Sequence, residues 1–422
     1  MEIHVNTKLL IALVFISAAL PSVAATPFTI DDAISAGLNR DNEVIAAGAE
    51  LDAARTDIDI AKKGYLPSLQ ASVGSGDRLN NNGYEVRATQ MLYDWGQVKQ
   101  KVNGRKADAS IQAQNLRLRR MAASIDIADV YLNLVTNTEL VRYHQIYLSR
   151  LQKLNAIAQD RLSANYGDRI ESDRTSIEIA RTEQAIAFLD GELSVAQQDF
   201  AELTGYSHRE VKLQNPKPLA LAKLLQSSSK QFKNSIHDSP DYQKALAEKE
   251  LAQSQLRLSK AERLPKLNLE ASWMNREVGG QWQSDSSIGI QLRYDSAQGF
   301  SSWSKPKKAR SRLRAAQYTA EAVKRDFHRA VRRLTVSEPA TLARISALQR
   351  QTKHAKTVKQ SYRQQFLAGT RDLEDLLSIE REIFDAHRQT VELRKELLSD
   401  QYQLAGQLGL LDSLKLYRNK RS

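Results

Sequence analysis

The chain has 422 residues, 41% of them hydrophobic and 26% charged, with no cysteine and a formal net charge of +12. This excludes a disordered chain and a polytopic helical membrane protein, and the lack of cysteine excludes disulfides, thiolate-held zinc, iron–sulfur clusters, thiol catalysis and a cysteine-linked lipid anchor. The positive charge raises a nucleic-acid or anionic-surface reading.

Lys8 precedes an apolar run from Leu9 to Leu20. A helix needs about 20 apolar residues to cross a bilayer, so this run is too short. Pro21 and the small residues Ser22, Ala24 and Ala25 end it, and residues 1–24 read as a secretory signal peptide. An exported chain rarely meets nucleic acid, so none is expected as a partner.

The mature chain reads as two copies of one plan. Leu66-Pro67-Ser68-Leu69 returns as Leu264-Pro265-Lys266-Leu267, Tyr93-Asp94 as Tyr294-Asp295, Gly167 and Asp173 as Gly369 and Asp375, and Ala201–Gly205 as Ala405–Gly409. The order is kept while the offset drifts only from 198 to 204 residues. The first repeat spans 28–212 and opens with a helix from Ile30 to Lys63, capped by Asp31 or Asp32 and stopped before Pro67. The period then changes from 3.6 to 2 in a β-hairpin over 67–93. Leu69, Ala71 and Val73 alternate with Ser68, Gln70 and Ser72, and Tyr84, Val86 and Ala88 with Glu85, Arg87 and Thr89. A long helical hairpin follows over 97–205. Its stretch from Arg105 to Tyr166 holds neither Gly nor Pro, roughly 90 Å of helix if unbroken. Tyr147, Leu151, Leu154 and Ala158 mark a coiled-coil seam, and Gly167 permits the reversal.

Residues 213–235, with Pro216 and Pro218, read as a linker. The second repeat spans 236–414: a helix from Asp241 to Arg263 started by Ser239-Pro240, a β-hairpin over 265–294 with a polar loop from Gly279 to Asp285, and a long helical hairpin over 305–409. Pro339 is expected to kink or break that hairpin, Gly369 to reverse it, and Ile379, Ile383, Ala386, Leu393 and Leu397 to form its seam. The basic cluster Lys305 to Arg310 reads as a helix start just inside a membrane, where basic side chains meet anionic groups or solvent. Residues 415–422 form a basic tail. His144, His208, His237, His328, His354 and His387 show no metal-ligand spacing, and neither a phosphate loop nor a nucleophile elbow occurs, so no enzyme and no cofactor are expected.

Four amphipathic strands cannot close a barrel by themselves, and a sheet that spans lipid must close. The expected fold class is therefore an α+β membrane protein. An outer-membrane β-barrel is shared among protomers, four strands each, and is continued by a long α-helical periplasmic barrel of coiled-coil hairpins. A soluble coiled-coil scaffold with two incidental hairpins is the alternative from a different class.

The ordered set Leu92-Tyr93-Asp94-Trp95-Gly96, Phe366-Leu-Ala-Gly369-Thr370-Arg371-Asp-Leu-Glu-Asp375 and Tyr402-Gln-Leu404-Ala-Gly-Gln-Leu408-Gly409 resembles the TolC-type outer-membrane efflux and type I secretion channels. The resemblance implies a homotrimer with a twelve-stranded barrel in the outer membrane of a Gram-negative bacterium and a tunnel across the periplasm. Such a chain is a passive conduit serving a periplasmic adaptor (membrane fusion protein) and an inner-membrane transporter, ABC-type or proton-driven. It also implies site residues. The tips at Gly167 and Gly369 face the adaptor. Arg371 matches a gate arginine, with Ser172 and Asp173 as its partners on the neighbouring hairpin, since a guanidinium can grip a carboxylate while donating to a hydroxyl. Phe366 stands where the family's gate has a tyrosine, so one hydroxyl is missing. Asp375 matches a ring of tunnel aspartates whose second position is Ser378 here. The run from Phe366 to His387 is similar to members that serve type I protein secretion, and drug-efflux ducts share the same plan.

Overall fold

The computed structural model describes residues 27–74, 83–165, 168–219, 236–294, 301–409 and 411. The expected signal peptide, Gly167, most of the linker and the basic tail lie outside the described residues.

The first helix divides where one was expected. Thr29 and Asp32 exchange backbone and side-chain hydrogen bonds in a capping box that starts α1 (Ile30–Leu38). Asp32 thus supports the cap, while Thr29 occupies it. Asp41 then accepts from the Val44 N–H at 2.8 Å and starts α2 (Asn42–Lys62). A side-chain oxygen that satisfies an early helical N–H makes a new start as favourable as continuation. β1 (Pro27–Phe28) pairs in parallel with β4 (Lys212–Leu213), so the two ends of the first repeat meet. The buried Tyr131 hydroxyl lies 2.8 Å from the carbonyls of both Phe28 and Gln214 and pins this pair to the long helix. Burial pushes that phenol up to about 12.

The remaining elements are β2 (Ser68–Gly74), β3 (Gly83–Tyr93), α3 (Gln97–Ser163), α4 (Arg169–Thr204), α5 (Pro240–Ala261), β5 (Lys266–Val278), β6 (Gln281–Arg293), α6 (Ser301–Leu367) and α7 (Leu373–Gln407). α3 and α6 each have 67 residues, about 100 Å of helix. α6 runs through Pro339 without a break, one of the two outcomes expected there. An interior proline costs about 3 kcal/mol, which the packing of α6 on α5 and α7 offsets. The expected loop from Gly279 to Asp285 shrinks to a two-residue turn. Gly279 and Gly280 have φ of 61° and 85°, and the strand resumes at Gln281. Positive φ at both central residues is the type I′ geometry that matches strand twist.

The four long strands form one antiparallel sheet in the order β2-β3-β5-β6. The helices repeat that order. α3 packs against α2 and α5 near the sheet and against α4 and α7 farther away, while α6 packs first on α5 and then on α7. The molecule is a wall one layer thick, so its core is a chain of seam clusters. The largest joins Ile30, Ala33, Ile127, Ala128, Tyr131, Phe200 and Tyr402. Smaller ones follow down the helices, around Tyr147, Leu151 and Leu377, and around Ala158, Phe366 and Leu373. Among the described residues no helix is long and apolar enough to cross a membrane.

Candidate functional site

Two regions carry the chemistry: the sheet and the far tip of the helices. Strand register puts Leu69, Val73, Val86, Trp273, Ile288, Ile290 and Leu292 on one face. This face is open, with Val73 87% and Ile288 75% exposed. The opposite face carries Arg87, which pairs with Glu85 at 2.6 Å and Glu270 at 3.1 Å, and Arg293, which reaches Glu270 at 3.5 Å. A sheet in water buries its apolar face and solvates its charges. Here the charges are neutralised and partly buried while the apolar face stands open.

Aromatic side chains mark both ends of that apolar face. Tyr93 and Tyr294 sit at the helix end, with Trp95 packed edge-on against Tyr93 at 4.9 Å. Trp282 sits by the outer turn, and Trp273 packs on Tyr84 at 5.4 Å nearby. From Trp282 to Tyr294 the strand rises about 40 Å, which at a 45° tilt is about 29 Å across a bilayer. That matches the apolar band of a barrel between its two aromatic girdles.

Below the sheet, Tyr93-Asp94-Trp95-Gly96 has a structural reason. Trp95 and Gly96 take positive φ of 59° and 81°. Buried Asp94 accepts from the N–H groups of Gly96 at 2.9 Å and Val98 at 2.6 Å, which caps α3. The Trp95 indole donates to the Pro265 carbonyl at 2.8 Å and ties the two hairpins together.

At the far tip, Gly369 ends α6 with φ of 75°. Its place in the first repeat is held by Asn165, with φ of 60°. Ala164 and Asn165 donate to Asp160 and Leu162 as Ala368 and Gly369 donate to Gln364 and Phe366. The two tips therefore align with an offset of 204 rather than 202, and Gly167 lies outside the described residues. Asn is the non-glycine residue that most readily takes this conformation.

Arg371 is held within its own hairpin. Its Nε donates to Gln365 at 2.7 Å, its NH1 lies 2.9 Å from Asp375, and its guanidinium stacks 3.8 Å from the Tyr362 ring centre. Within the protomer it does not touch Ser172 or Asp173. Ser172 lies 3.4 Å from Asn155, and Asp173 pairs with Arg169 at 3.7 Å. Phe366 is buried against Ala158, Leu373 and Leu376, with Arg161 over its ring at 4.9 Å. Tyr362, one turn earlier and half-buried, supplies the aromatic face at Arg371.

Sequence reasoning missed the links between the two hairpins. Arg174 of α4 pairs with Glu374 of α7. Buried Glu178 of α4 accepts from Arg381 of α7, Nε to Oε1 at 3.2 Å, and this bond raises the Arg381 pKa. Buried Glu380 of α7 binds Arg150 of α3 at 3.4 Å and Lys359 of α6. Heptad position was the available signal, since Glu380 falls between the seam residues Ile379 and Ile383 and so faces neighbours rather than water.

An open sheet with an oily face of bilayer height, continued by a wall of helices one layer thick, defines a segment of a membrane channel. The chain belongs to the outer membrane efflux protein family, whose model matches residues 33–206 and again 233–410. It is similar to the outer membrane protein TolC of Vibrio cholerae, 20% identical with 94% of each chain covered. Among solved structures it resembles the outer-membrane channel OprN, with 18% identity and a TM-score of 0.76 over 90% of this chain and 89% of that one. It also resembles the outer membrane protein VceC of Vibrio cholerae, with 15% identity and a TM-score of 0.76 over 90% and 96%. Its location is the outer membrane, with the helical part extending into the periplasm.

Proposed function

We propose that three copies of the chain close into one duct, the outer-membrane conduit of a tripartite export system. The observation that carries this reading is the shared edge of the wall. β2, α2 and α4 lie at one side, β6 and α6 at the other, and among the described residues neither side has an outer neighbour within the protomer. In lipid, unpaired edge groups cost several kcal/mol each, so β2 of one copy pairs with β6 of the next. Three copies supply twelve strands. The ion-paired face of Glu85, Arg87, Glu270 and Arg293 then lines water, and the duct does no chemistry of its own.

A periplasmic adaptor docks on the helical tips around Gly369 and the turn containing Gly167, and an inner-membrane transporter supplies the energy. Arg371, Ser172, Asp173 and Phe366 form the gate. At rest Arg371 holds its own hairpin closed through Gln365 and Asp375, and it exchanges partners with Ser172 and Asp173 of a neighbouring hairpin as the tips move. Asp375, once per copy, forms a cation-attracting ring. The cargo is protein, through an ABC-type transporter. Small-molecule efflux is the second reading, and the family's description as an efflux protein favours it.

Single-channel recording in planar bilayers tests the duct. The wild type is expected to form detergent-requiring, heat-modifiable trimers of low conductance. Arg371→Ala should open them more often, and Asp375→Ala should reduce cation selectivity. A soluble monomer or dimer without conductance would return the scaffold reading. Deleting the gene and comparing secreted proteins with drug susceptibility separates the two cargoes.

A further inference from the structure

The start of α6 carries a stripe that the conduit leaves unused. Trp303, Lys307, Arg310 and Arg314 recur at spacings of four, three and four, so they share one helix face. All four are exposed. Among the described residues no carboxylate lies within ion-pair distance of Lys307, Arg310 or Arg314, whereas Lys305 on another face pairs with Glu262 at 3.9 Å. Arg263, at the foot of β5, lays its guanidinium 4.2 Å over the Trp303 ring. Trp303 follows Tyr294, at the inner end of the apolar sheet face, by nine residues in the chain. Lys307 and Arg310 follow about 9 and 14 Å down the helix from Ser301, and their side chains can reach back toward the membrane.

We propose that this stripe, with Arg263, binds the headgroups of anionic phospholipids in the inner leaflet of the outer membrane and sets the depth of the channel. The inference rests on the sheet spanning that membrane. The charge is complementary to a phosphodiester, and the Arg263–Trp303 contact ties the stripe to the foot of β5, a strand of the lipid-facing sheet. Trp303 fits the layer where amphipathic rings settle, and Lys307 and Arg310 fit the headgroup layer beyond it. An adaptor surface would instead be expected near the far tips, some 90 Å away along α6.

The test uses the full chain with Trp95, Trp273 and Trp282 replaced by Phe, so that Trp303 alone fluoresces, reconstituted in phosphatidylethanolamine bilayers. Brominated phosphatidylglycerol should quench Trp303 more strongly than brominated phosphatidylethanolamine at equal mole fraction, and salt should weaken the difference. Each cation near the surface contributes about fivefold in association, so Lys307→Gln/Arg310→Gln should lower the preference roughly 25-fold. Lys308→Gln/Arg312→Gln removes the same charge from another face and should leave the preference in place. Equal quenching by the two lipids in the parent, or equal loss in both double variants, would overturn the proposal. Conductance of each variant shows separately whether the pore itself has formed.

Discussion

Ile288 and Ser287 are neighbours in β6 that point to opposite faces of the sheet, and replacing each in turn with Arg tests which face meets lipid. Ile288 pairs with Ala271, is 75% exposed, and lies six residues from Tyr294, about 14 Å above the inner aromatic level at a 45° tilt. That is near the middle of an apolar band about 29 Å tall, where an arginine costs about 2–4 kcal/mol. Three copies would multiply this to about 6–12 kcal/mol if the sites act independently. Ser287→Arg removes one hydroxyl contact with Ser272, 2.8 Å long, for about 0.5–1.5 kcal/mol. The assay is the heat-modifiable trimer fraction on unboiled gels, with the guanidinium midpoint in bilayers as a second measure. Ile288→Arg should abolish trimers, while Ser287→Arg keeps them with altered conductance. Equal losses, or an Ile288→Arg chain that becomes more soluble without detergent, would mean that the apolar face does not meet lipid.

Arg381→Met leaves Glu178 buried against Tyr147, with only the exposed Arg181 at 3.6 Å in compensation. Because Arg381 is itself half exposed, the expected loss is about 1–3 kcal/mol rather than the full cost of a broken buried pair, read as a lower guanidinium midpoint that Arg381→Lys partly restores. Burial holds the pKa values of His144 and His387 below the ordinary 6.5, despite Glu139 at 3.8 Å from His387. The unfolded chain therefore takes up protons first as pH falls, so the neutral-imidazole contribution is complete above pH 6.5 and is lost as pH drops through the lower folded values. The melting temperature should fall as pH drops below about 6.5, and His144→Gln with His387→Gln should flatten that slope. Gly369→Val places a β-branched side chain at φ of 75° and should cost about 1–2 kcal/mol, whereas Asn165→Gly should shift stability by less than about 0.5 kcal/mol, both by denaturant titration.

The alternating strands were legible because lipid and water on opposite faces enforce period two residue by residue. Leu69, Val86, Ala271 and Ile288 fall on one face whatever the neighbouring copies do. The duplication was legible for a similar reason, since Leu-Pro before each hairpin and the helix-ending Gly205 and Gly409 answer local backbone demands. What escaped were competitions between near-equal local choices. Nothing in the apolar pattern from Ile30 to Lys63 says that Asp41 will start a new helix. The Gly279-Gly280 turn hid inside a polar stretch that is strand only because β5 runs opposite it. At the tip, the identity of the left-handed residue could not be read by matching glycines, because Asn165 takes that backbone too. The partners of Glu178 and Glu380 required knowing which helices are neighbours, and that is fixed by the seams rather than by either glutamate.

Those partners also show what joining two repeats in one chain makes available. With the tips aligned at an offset of 204, Glu178 corresponds to Glu382 and Arg381 to Ile177, so the Glu178–Arg381 pair has no mirror image in the other half. Arg174 corresponds to Ser378 and Glu374 to Ile170, so the Arg174–Glu374 pair has none either. A ring built from six identical single repeats would carry the same bonds in every seam between hairpins. A ring of three duplicated chains has two kinds of seam. The seam within a chain is fastened by buried Glu178 and by Glu380 with Arg150, and the repeat-equivalent positions carry no residues that could form the Glu178–Arg381 or Arg174–Glu374 pair a second time.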